Sequence, residues 1–132
     1  MEKYLYFRKA TDVANDDDDA DSVCFPISSL LSIKPKNAND LALFFIPAVR
    51  ISGGVDNGED FTNADSVTLT LVTANTHKEA MKGLIEGFNR ASSFVGESSD
   101  NDFIVVGDNA KNIFIAPEIA SVATINVADP FV

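Results

Sequence analysis

His77 and Cys24 are the only histidine and the only cysteine in the chain, so little nucleophilic, general-base or soft-metal chemistry is open to it. A zinc site draws its three or four protein ligands mainly from these two residue types, and one of each does not supply them. No Gly-x-Ser-x-Gly elbow and no Cys/His pairing is present to activate a nucleophile. Cys24 has no partner for an internal disulfide, and its setting between Val23 and Phe25 reads as a buried small apolar side chain, suited to a reducing compartment. His77 falls at the first turn of a predicted helix. With no neighbouring group in the sequence to orient it, it reads as a plain surface histidine.

Carboxylates are the remaining chemical resource. The run Asp16-Asp17-Asp18-Asp19 brings together oxygens of the kind that Ca²⁺ collects, but consecutive side chains do not aim at one point. Neither Asp12–Asp21 nor Asp56-Asn57-Gly58-Glu59-Asp60 has the alternating ligands, central glycine and terminal glutamate of an EF-hand loop. Both read as solvated loops, and no carboxylate pair stands out as an acid/base couple. Gly53-Gly54 and Gly107 lack the spacing that wraps backbone amides around a phosphate, and they read as turn glycines. Tyr4, Tyr6 and Phe7 would suit base stacking only beside a basic groove, and Lys3, Arg8 and Lys9 alone do not make one. The reading is therefore of a protein that is not an enzyme and takes no cofactor or metal.

Twenty acids against ten bases give a net charge of −10, which opposes both phosphate backbones and anionic membranes as direct partners. Half of the acids fall in Asp12–Asp21 and Asp56–Asp65, leaving the apolar segments between them nearly neutral and free to pair. The longest apolar runs, such as Leu41 to Val49, are far too short to cross a bilayer. Met1 to Ala10 has no apolar signal core, so secretion is not expected. A length of 132 residues with 45% hydrophobic content predicts a single domain over 1–132 with a core of its own.

The elements that must hold these residues follow from alternation and breakers. Strands are predicted at Tyr4–Phe7, Ser22–Pro26, Leu30–Lys34 (ended by Pro35), Leu41–Ile46, Val67–Val72, Phe103–Val106, Ile113–Ile115 and Val122–Val127. The fourth is apolar on both faces and so central. The stretch around Ser52 to Asp60 reads as the long loop of a hairpin, and Ser92 to Asp102 as a polar linker. Thr76 and Glu79 form a capping-box pattern, after which Ala80, Met81, Leu84, Ile85 and Phe88 recur at helical spacing. The helix is predicted from about His77 to Arg90 or Ala91, burying Met81, Leu84, Ile85 and Phe88 and exposing Lys78, Lys82 and Glu86. The fold class is α+β: predominantly antiparallel sheet or a small β-barrel, with one amphipathic helix packed on it.

Gly83 and Gly87 are out of place by propensity, since each glycine inside a helix costs about 1 kcal/mol relative to alanine. With Ala80 and Ala91 they make a smooth ridge suited either to close packing on the chain's own sheet or to contact with another subunit. The terminal Pro130-Phe131-Val132 adds an apolar pair that would be idle in solvent, and both features are candidate interaction sites.

The segments Tyr4-Leu5-Tyr6-Phe7-Arg8 before an Asp-rich loop, Asp21 to Leu30, Asp65 to Thr70 leading to His77-Lys78-Glu79-Ala80-Met81, and Phe103 to Val106 resemble small virion structural proteins of marine bacteriophages such as cyanophages. Those are head-associated or decoration-type proteins. The resemblance implies a non-enzymatic, capsid-associated role in the virion (or the host cytoplasm during assembly), homo-oligomeric contacts and the major capsid protein as a partner. It carries over no functional residues. An acidic head protein belongs on the outer face of the capsid, away from packed DNA. Two other classes stand beside this one: a small-barrel, Sm-like oligomeric binding module, which would need a basic aromatic surface, and an enzyme of unrecognised type, which would need converging carboxylates.

Overall fold

Alternation along the first strand sets the inside and the outside of the molecule. In β1 (Tyr4–Arg8) the rings and chains at Leu5 and Phe7 are fully buried, while Tyr4 is 44% exposed. The computed structural model describes residues 3–18, 20–46, 65–92 and 103–127. These residues form two four-stranded sheets and one helix, an α+β fold that is mostly antiparallel and not a closed barrel.

In the first sheet β1 lies between β2 (Ser22–Pro26), antiparallel to it, and β6 (Phe103–Asp108), parallel to it; the two-residue β7 (Ile113–Phe114) pairs with the far end of β6. The parallel pair joins segments about a hundred residues apart, a contact that no local hairpin signal announces. The second sheet runs β3 (Leu30–Asn37), β4 (Asp40–Phe45), β5 (Asp65–Leu71) and β8 (Ile119–Asn126), antiparallel throughout. β4 is central, as its two apolar faces predict. The predicted hairpin loop around Ser52 to Asp60 lies outside the described residues, as does the predicted linker Ser92 to Asp102 beyond Ser92, which is the last residue of the helix.

Two strands depart from expectation by three residues at one end. β3 does not stop at Pro35 but continues to Asn37, with Pro35 opposite Leu41. β3 is an edge strand, where a residue whose N–H would face solvent loses no ladder bond by being proline. β8 begins at Ile119 rather than Val122, and its register against β5 shifts twice on the way. Those irregularities blur the alternation from which its start would be read.

Both sheets and the helix α1 (His77–Ser92) feed one core. Phe25 of the first sheet stacks on Phe45 of the second at 4.0 Å between ring centres, and Phe7 meets Phe45 edge-on at 5.9 Å. Such pairs contribute about 0.5–1.5 kcal/mol beyond the area they bury. Asn109, just past β6, ties the two sheets together. Its side-chain Nδ2 donates to the Lys9 carbonyl at 2.8 Å and to the Val122 carbonyl at 2.9 Å, and its Oδ1 accepts the Val122 N–H at 2.9 Å. The carboxamide thus stands in for a strand residue along β8 while also holding the end of β1.

On α1, Ala80, Leu84 and Phe88 are buried and Met81 packs partly against the core, whereas Ile85 is 46% exposed. The expectation that Ile85 is core is corrected: the buried arc swings toward Gly83 and Gly87. A β-carbon built on Gly87 would sit 2.5 Å from Ile115 Cγ1, and one on Gly83 would sit 2.9 Å from Glu118 Oε1 and 3.0 Å from Ala116 Cβ. The smooth side of the helix therefore meets residues 115–118 of its own chain. The turn preceding α1 is closed by the Thr76 hydroxyl, which donates to the Thr73 carbonyl at 2.7 Å.

Candidate functional site

Because side chains alternate across a strand, burying Leu5, Phe7, Phe25 and Ile104 turns their neighbours outward onto the opposite face of the first sheet. The register sets Tyr4 beside Pro26 and Phe103, Tyr6 beside Cys24 and Val105, and Arg8 beside Ser22 and Asp108. Tyr4, Tyr6 and Phe103 thus share this outer face. The rings of Tyr6 and Phe103 approach to 5.2 Å, and Phe103 is 47% exposed. The same alternation corrects the placement of Cys24. With Phe25 directed inward, Cys24 must face outward, and it is exposed. Partial burial nevertheless pushes its thiol above the ordinary value, which makes it a poorer thiolate source at neutral pH.

Arg8 closes one end of the face. Its Nε donates to the Tyr6 hydroxyl at 2.8 Å and lies 3.1 Å from Asp16 Oδ2, while Nη1 is buried and 3.6 Å from Asp108 Oδ1. The hydrogen bond to Tyr6 is the main reason the guanidinium is held above its already high ordinary value; the negative charges of Asp108 and Asp16 act in the same direction and burial against it. Asp108 is 6% exposed and also accepts the backbone N–H groups of Ala110 and Lys111. Asp16 accepts the Ser22 hydroxyl at 2.6 Å. The arginine charge is thus spent inside the protein, and the face presents near-neutral aromatic area instead of a free cation.

The acidic loop is partly tied down by the same contacts. Asp12 accepts the Ala14 N–H at the start of a short 3₁₀ turn (Val13–Asn15), and Asp16 pairs with Arg8. The expectation of uniformly solvated carboxylates is corrected at Asp16, which folds back onto Arg8 at the end of β1, the strand that leads into the loop. No group of three or more His, Cys, Asp or Glu side chains able to hold a metal occurs among the described residues. His77 also has partners after all. Its Nε2 lies 2.7 Å from the Asn37 carbonyl and 3.1 Å from the Asp40 carbonyl, so it carries the proton there and pins the start of α1 to the β3–β4 turn.

A shallow cleft of about 340 Å³ lies where α1 faces residues 115–118, lined by Glu79, Lys82, Glu86 and Glu118 over Gly83. Gly83 and Gly87, read as interaction candidates, are covered on this side by the chain itself. Pro130, Phe131 and Val132 lie outside the described residues. The sequence places Phe103 in a strand without marking the outward face it shares with Tyr6, and it does not mark the hydrogen bonds that Asn109 makes. The period-two pattern of β6 carries the first signal; nothing local carries the second. No family model, curated protein or solved structure matches the chain. No helix among the described residues is long and apolar enough to cross a membrane.

Proposed function

We propose that this chain is a non-enzymatic structural protein that acts by contact, self-associating through the outer face of its first sheet as a capsid-associated component of a phage virion. The observation that carries the reading is the near-neutral aromatic face around Tyr4, Tyr6 and Phe103 on a chain of net charge −10. Exposed aromatic area with charge excluded from its centre is the composition of a protein–protein contact. Arg8 is engaged by Asp16 and Asp108 at one end of the face, so the charges there, one net negative, lie beside the aromatic centre and not within it. The acidic loops fit attachment to the outer capsid surface, since packed DNA inside would repel them.

Sedimentation equilibrium across a concentration series tests the contact, and pelleting with capsids of the phage that carries the gene tests the role. The Tyr4→Ser/Phe103→Ser double variant should remain folded, because both side chains are about half exposed. It should lose association and pelleting together. A wild-type protein that stays monomeric at high concentration and does not pellet with capsids would overturn the proposal.

A further inference from the structure

We draw no further inference here: the strongest candidate, the cleft of about 340 Å³ between α1 and residues 115–118, rests on an acidic cluster with no second observation to name a ligand, since Glu118, whose Oε1 is buried without a hydrogen-bond donor, is itself only partly buried.

Discussion

Replacing Asn109 by alanine removes three side-chain hydrogen bonds at once, two to Val122 and one to the Lys9 carbonyl. A hydrogen bond of this kind contributes about 1 kcal/mol net, so their loss alone amounts to roughly 3 kcal/mol. Val122 is only 2% exposed, and its N–H and C=O would be left in a place that water reaches poorly. That raises the expected loss toward about 5 kcal/mol, a large share of the roughly 5–15 kcal/mol by which a domain is stable. With a urea slope of about 1–3 kcal/mol per molar, the unfolding midpoint should fall by about 1–5 M with the slope unchanged. Asn109→Asp is the informative companion. It keeps an acceptor for the Val122 N–H but turns a carboxylate toward two carbonyl oxygens, so at neutral pH it should destabilise at least as much as alanine. If both variants unfold within about 0.5 kcal/mol of wild type, the side chain does not join the two sheets and the reasoning fails.

The buried arc of α1 is tested by a pair of variants: Phe88→Ala should cost about 3–5 kcal/mol in urea unfolding, and Ile85→Ala less than about 1 kcal/mol, whereas equal losses would mean that the arc does not turn toward the glycines. Gly87→Ala, which gains about 1 kcal/mol in an ordinary helix, should instead destabilise by about 1–2 kcal/mol because the new methyl meets Ile115; Ile115→Ala in the same chain should recover part of that loss, and additive effects in the double-mutant cycle would contradict the contact. Cys24 should react completely with a thiol reagent in the native protein, at a rate that climbs with pH through a midpoint above the ordinary thiol value; a thiol that reacts only after denaturation would show that β2 is placed wrongly. Calorimetric titration with Ca²⁺ should reveal no stoichiometric submicromolar site in the Asp12–Asp21 loop, because Asp16 is already engaged by Arg8, and a tight site would refute that account.

The elements can be read from the sequence wherever the signal is periodic and local. Leu5 and Phe7 alternating with Tyr4 and Tyr6, the doubly apolar β4, and the stripe of Ala80, Leu84 and Phe88 each record which side of a strand or helix avoids water. These patterns suffice for an α+β protein with one packed helix. They also contain the outward direction of Cys24 and Phe103, legible once Phe25 and Ile104 are assigned to the core. Which elements became neighbours was set by pairings between distant segments. The parallel pairing of β1 with β6 spans most of the chain, and only that pairing brings Arg8 to Asp108 and makes a face of Tyr6 and Phe103. Pro35 could remain in β3 because that strand became an edge, and Ile85 was left in solvent because residues 115–118 drew the glycine side of α1 inward. Asn109 shows the limit most plainly. A carboxamide in a turn has no period, and its importance comes from two strands, distant in sequence, that the folded chain brings within 3 Å of it.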